Sequence, residues 1–156
     1  MGVSVVWGLL VAGAVASGGG QAGAKSEAPR QYQFDCRVTK NDSRGDKQVV
    51  GEPRLLTLGG RPASFLSGGE FVAPAAAGKV QFIEFGFRAT MNVLEAKGGK
   101  LLLDVTAADM QPEAGKGAPT RVRTQSVRTV EWVKPKEPLT LTVGPYSFKV
   151  QAQPVN

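Results

Sequence analysis

From residue 31 onward, apolar and polar side chains alternate with a period of two over most of the chain. In Gln31–Val38, Tyr32, Phe34, Cys36 and Val38 fall on one side and Gln33, Asp35 and Arg37 on the other. That is the signature of a half-buried strand. Arg54–Leu58 and Ala63–Leu66 read as short strands, stopped by Gly59-Gly60 and by Ser67-Gly68-Gly69. Paired glycines suit turns that need positive φ. Val80–Leu94 is the longest patterned stretch, with Ile83, Phe85, Phe87, Ala89, Met91 and Val93 on one face. Its period is two, although Ala89–Lys97 alone also fits a helix. Gly98-Gly99 predicts a hairpin into Lys100–Thr106, with Leu101, Leu103 and Val105 inward. Thr120–Val133 reads as a long polar strand, and Leu139–Val143 and Tyr146–Ala152 as a last hairpin around Gly144-Pro145. Asn41–Lys47 is a polar turn and Gln111–Pro119 a Gly/Pro/Lys loop expected to be mobile. The expected fold is mostly β: a single domain of antiparallel strands and hairpins over residues 31–156.

The first residues follow another pattern. Met1–Ala24 carries no charge, and Val3–Ala16 is an apolar run of fourteen residues followed by Ser17-Gly18-Gly19-Gly20-Gln21 and Ala22-Gly23-Ala24. An apolar segment, a polar region and an A-x-A site in this order predict a secretory signal at 1–24, cleaved before Lys25, with 25–30 as a linker. The run is shorter than the roughly 20 residues a spanning helix needs. Gly19–Ser26 comes one residue short of a phosphate-binding loop, with Ala24 in place of the second glycine, and no helix pattern follows it. Export places the chain in an oxidising compartment, where the lone Cys36 is expected to be buried as a small hydrophobe.

Composition narrows the chemistry. Of 156 residues 42% are apolar and 21% charged, with 20 Gly, 10 Pro, one Cys and no His. Cys/His zinc sites, Ser-His-Asp triads and intrachain disulfides are excluded. The acids Glu70, Glu84, Glu95, Asp104, Asp109 and Glu131 are scattered over strands and turns. They form no motif, so no catalytic residue, metal or cofactor is assigned and the chain is read as a non-enzyme. Arg121, Arg123 and Arg128 make a basic strand in a chain of net charge +6. Arg121 and Arg123 share a face and Arg128 takes the other. Nucleic acid is not the expected partner, because the aromatic platforms of single-strand binders are missing. A charge-protected edge strand is the simpler reading, with an anionic envelope surface as the alternative. Ile83–Val93 has the length of a transmembrane β-strand, and equally that of a sandwich strand lining a core.

One block resembles a known family. Pro53, Thr57, Gly60, Ala63, Phe65, Gly69 and Glu70, within Glu52–Phe71, stand where the secretin domain has a Pro and a Thr on one strand, a turn Gly, Ala-x-Phe and a Gly-Glu. Secretins are the outer-membrane channels of type II and type III secretion and of pilus systems. Phe85-Gly86-Phe87, Gly99-Lys100-Leu101 with Leu103 and Val105, and Arg128-Thr129-Val130 are similar to later secretin segments, in the same order. The resemblance implies a reduced secretin core whose copies join strands into a ring, with Gly68, Gly69, Glu70 and Phe71 at a gate-like turn. It implies homo-oligomers or other secretin and envelope components as partners, and an exported chain in the periplasm or associated with the outer membrane. Only about a dozen residues separate Glu70 from Phe85, so the gate hairpin would be short, and Lys134–Val143 replaces the family's closing Gly-Gly-Leu segment. A stand-alone periplasmic β-sandwich that binds a partner without forming a pore is the second reading.

Overall fold

The structure, a computed structural model, describes residues 30–75, 78–113 and 121–155. The expected signal and most of the linker lie outside these residues, as does most of the 111–119 loop. Nine strands follow in order: β1 (Gln31–Asn41), β2 (Lys47–Gly51), β3 (Arg54–Leu58), β4 (Ala63–Pro74), β5 (Val80–Lys97), β6 (Lys100–Pro112), β7 (Val122–Val133), β8 (Leu139–Val143) and β9 (Tyr146–Val155). Every pairing is antiparallel, in two sheets. The mostly-β, antiparallel expectation holds.

The first sheet is built on β1. One edge of β1 pairs with β9 from Gln31 to Lys40, and β9 in turn pairs with β8. Its other edge is shared, with β3 opposite Gln31–Asp35 and β2 opposite Val38–Asn41. Where β3 gives way to β2, the Cys36 amide donates to the Pro53 carbonyl at 3.0 Å. A proline lacks the N–H that a ladder needs but keeps its carbonyl, so Pro53 fits this break between strands. The second sheet is a meander in the order β4-β5-β6-β7. Gly98 and Gly99 both have positive φ, 60° and 73°, and close the β5–β6 turn. That is the geometry whose twist matches a two-residue hairpin.

The two sheets face each other over one core. Phe34, Val38, Phe87, Ala89, Met91, Leu103, Val105, Phe148 and Val150 are completely buried. They are the inward half of each alternation. Phe87 lies at the centre of an aromatic cluster, with Phe65, Tyr146 and Phe148 at 5.9, 5.2 and 5.5 Å. Cys36 is buried as expected, its Sγ 3.5 Å from Met91 Sδ across the sheets. Burial, and secondarily the negative charge of Asp35, push its thiol up to about 12.

Several boundaries differ from the sequence reading. Ser67-Gly68-Gly69 does not end a strand, because β4 runs through it to Pro74. Neither Gly68 nor Gly69 has positive φ. β5 and β6 extend to Lys97 and Pro112, since a strand continues while its neighbour still offers backbone partners. β2, with only Val49 and Val50 to mark it, gave no alternation to read.

Candidate functional site

The part of the meander that outreaches the first sheet carries most of the residues singled out above. On the inner face Phe87 is the last fully buried residue of β5 towards the tip, and Phe85, Ile83 and Phe71 beyond it are half-buried, while Ala73 farther along β4 is again fully buried. Gly68, Gly69, Glu70 and Phe71 lie at this passage. They sit inside β4, paired with Gly86, Phe85, Glu84 and Ile83. The gate-like turn expected there is therefore a stretch of strand, and the hairpin connection falls farther on, between Pro74 and Val80.

Gly68 and Gly86 face each other with no room for a side chain on either. A Cβ on Gly68 would overlap the Phe85 carbonyl and stand 2.8 Å from Gly86 Cα. A Cβ on Gly86 would stand 2.5 Å from the Ser67 carbonyl oxygen, and Gly86 also has φ +111°. Two backbones in such close contact require glycine at both positions. At Gly69 the obstacle is softer, since the Phe85 ring lies across the glycine, 3.0 Å from where a Cβ would be. Phe85 also packs on Phe71, their centroids 6.2 Å apart. On the outer face Glu70 and Glu84 stand directly opposite each other. Arg88, on the same face, pairs with Glu84 and offsets this like-charge contact.

The basic strand divides as its alternation requires. Arg128 points outward and grips Asp104 with two hydrogen bonds, Nε to Oδ1 and Nη2 to Oδ2, each 2.8 Å. The hydrogen bond from Arg128 and its positive charge hold the Asp104 carboxyl below its ordinary range. Arg123 stands opposite Gln111, and the Arg121 carbonyl accepts from the Glu113 amide. These two arginines lie at the end of β7 that shares the passage with Gly69 and Phe85. β7 is an edge strand, as is β4. Among the described residues neither pairs on its second side.

The acids do not converge. Among the described residues no group of three His, Cys, Asp or Glu side chains could hold a metal. Asp109, one of the scattered acids, is the exception in burial: it is 2% exposed, facing inward where the core ends. Its Oδ2 accepts from Gln111 Nε2 at 2.8 Å, and its Oδ1 has no partner among the described residues. The β8–β9 turn lies on it so closely that any side chain at Gly144 would overlap the carboxylate. Burial, then the charge of Asp109, pushes the Tyr146 hydroxyl up. Asp109 continues the inward parity of Leu101, Leu103 and Val105, but the strand read from the sequence ends at Thr106, so the acid counts there only as one of the scattered ones. A polar depression of about 310 Å³ lies elsewhere, on the outer face of the first sheet, lined by Asp35, Lys136, Gln151, Ala152 and Gln153. Both Asp35 oxygens are engaged there, by Gln33 at 2.9 Å and Arg54 at 2.7 Å.

No protein-family model matches the sequence, and no curated protein does. Solved structures do. The Vibrio cholerae type IV competence pilus secretin PilQ superposes with a TM-score of 0.58 at 11% identity, over 84% of this chain and 62% of that one. The secretin-domain β-barrel of InvG from the Salmonella SPI-1 injectisome gives 0.56 at 12% identity, over 83% and 64%. The Klebsiella pneumoniae type II secretion outer membrane complex of PulD, PulS and the PulC HR domain gives 0.56 at 9%, over 83% and 41%. The fold is secretin-like. This secretin-like chain spans less than two thirds of each of these matched chains. At such identities the likeness is one of fold.

Proposed function

We propose that this chain is an exported, non-enzymatic envelope protein working in secretion or pilus-type assembly, and that its copies join edge to edge through the meander. The observation that carries the reading is the pair of open edges. β4 and β7 bound the sheet, each is twelve residues long, and an antiparallel four-strand order makes them run in opposite senses. The β7 of one copy can therefore take the β4 of the next as an ordinary antiparallel neighbour, with inward and outward faces preserved. Their charges are complementary: β4 carries Glu70 alone, and β7 carries Arg123 and Arg128 with one acid, Glu131. The secretin-like fold supports the ring, and the pinched Gly68–Gly86 pair supports a hairpin held at a fixed angle where a gate would begin.

A second reading has its own observation. The apolar face of β5 from Phe87 to Val93 is covered by the chain's own first sheet. A single copy is therefore a closed sandwich that could serve as a periplasmic binding module. Light scattering on the protein extracted in detergent from membranes, and separately from the periplasm, separates the two. A large, heat-resistant assembly in the membrane fraction is expected. A monomer confined to the periplasm would overturn the ring.

A further inference from the structure

The chain leaves β7 for β8 through a tight turn, Lys134-Pro135-Lys136-Glu137, closed by the Glu137 amide on the Lys134 carbonyl at 3.0 Å. Pro135 fixes a negative φ at the second position, and Lys136 at the third has φ 65°. That is the type II pattern, whose third position calls for glycine. Lys136 is the only non-glycine residue with positive φ among the described residues. A residue held against its backbone preference persists only where its surroundings fix it, and such residues gather at functional sites. The fixing bonds are present. The Lys136 amide donates to the Ala152 carbonyl at 2.8 Å, and the Lys136 carbonyl accepts from Gln151 Nε2 at 2.7 Å. The turn is thus bolted to β9, with a lysine where the backbone favours glycine.

Lys136 lines the depression on the outer face of the first sheet, with Asp35, Gln151 and Gln153. Register sets the depression in two rows. Asp35 stands opposite Gln151, and Gln33 opposite Gln153. All four are half-buried, whereas Arg37 and Lys149 in the next row are exposed. The acid is already engaged by Gln33 and by Arg54, whose charge offsets it. Glu137 is engaged elsewhere, its Oε2 accepting from the Lys134 amide at 2.8 Å. Among the described residues Lys136 belongs to no ion pair. Its ammonium is therefore the uncompensated charge of the depression. Beside it stand side-chain amides, which carry both a donor and an acceptor, as a peptide group does. The two rows are two residues apart along β9, ~6.6 Å at ~3.3 Å per residue, and an extended peptide has the same repeat.

We infer that this depression binds the C-terminus of an extended peptide. The terminal carboxylate meets Lys136, a charge-assisted contact of the stronger kind. The peptide groups behind it meet the amides of Gln151 and Gln153. Recognition is of carboxylate and backbone, so it makes little demand on the peptide's side chains. A volume of about 310 Å³ is at the low end for ligand pockets and suits the last residues of a chain. The lining comes from β1, β9 and the turn, with none from β4 or β7. A single copy therefore holds the whole depression, and edge-to-edge assembly is not required.

The test is a titration of the isotope-labelled protein as recovered from cells, followed by NMR at the side-chain amides of Gln151 and Gln153. The probes are acetyl-trialanine with a free carboxylate, the same peptide ending in an amide, and sodium acetate. The free acid is expected to shift both side-chain amides along one saturable curve. The amide-ended peptide should shift neither, and acetate should bind at least about tenfold more weakly, having no peptide group for the glutamines. Lys136→Gln should weaken binding of the acid at least about tenfold, the loss expected of one hydrogen bond to a charged group. Lys136→Gly should remove the response while the urea midpoint holds or rises, because glycine takes positive φ without strain. No saturable shift from the free acid, up to the solubility of the peptide, would overturn the inference. So would equal binding of the amide-ended peptide, which would leave the ammonium unused, or of acetate, which would leave the glutamines unused. A full response in Lys136→Gln would overturn it as well.

Discussion

Glycine at 68 and glycine at 69 look alike in the sequence and differ in what surrounds them. At Gly68 the obstacle is backbone, which cannot turn aside, and at Gly69 it is the edge of the Phe85 ring, which can. Gly68→Ala should therefore cost about 3 kcal/mol or more, and Gly69→Ala about 1 kcal/mol, the range for overpacking against rigid and yielding neighbours. Urea unfolding midpoints of the two variants decide this, and equal costs would mean that the Gly68–Gly86 contact is looser than described. A second residue gives a pH dependence. Burial raises the Cys36 thiol from its ordinary 9.0 to about 12. Below pH 9 folded and unfolded chains both hold the proton and the thiol adds no slope. Between 9 and 12 only the unfolded chain releases it, so stability falls, by up to about 1.4 kcal/mol per pH unit. The difference between wild type and Cys36→Ala in urea should be flat below pH 9 and narrow above it. A constant difference up to pH 11 would show an accessible thiol.

Along a strand, alternation told which side chains are buried and not for how far. β5 shows this best. Its odd positions from Phe87 to Val93 are buried by the first sheet, while its even positions and its first turnward residues are not. Phe82 and Phe148 are both phenylalanines in period-two strands. One is 65% exposed and the other fully buried against Phe65 and Phe87. Phe148→Ala should cost about 3–5 kcal/mol, and Phe82→Ala within about 0.5 kcal/mol of nothing. Thermal or urea melts of the pair test the placement of the sheet boundary at Gly86, and a large cost at Phe82 would mean that the tip is covered in the isolated chain. The elements themselves were legible because period two survives in β1, β5, β6, β8 and β9. The end of β4 was not. A Gly-Gly pair signals a turn as readily as it signals two strands in close contact, and the difference lies in Phe85 and Gly86, some sixteen residues away.

At the scale of the molecule, what the sequence withheld was partnership. Alternation marks β8 and β9 as strands, but that β9 returns to lie against β1, Gln31 opposite Val155, is a contact between the two ends of the described chain. No local pattern encodes such a contact. The same holds for the arginines. Their parity was readable, whereas the Asp104 partner of Arg128 and the nearness of Arg121 to the hairpin passage follow from register. Edge pairing is the matching question between copies, and it too can be put to a test that leaves the fold alone. Ser64 and Leu66 are exposed on the outer face of β4. Lysines on an edge strand block its extension, because a neighbouring strand would have to desolvate them and meet the arginines of β7. Ser64→Lys with Leu66→Lys should reduce the membrane-extracted assembly to single copies while the urea midpoint of the free chain moves by less than about 0.5 kcal/mol. Gly68→Ala should lower both. An assembly that survives the two lysines at full mass would place the contact on another surface.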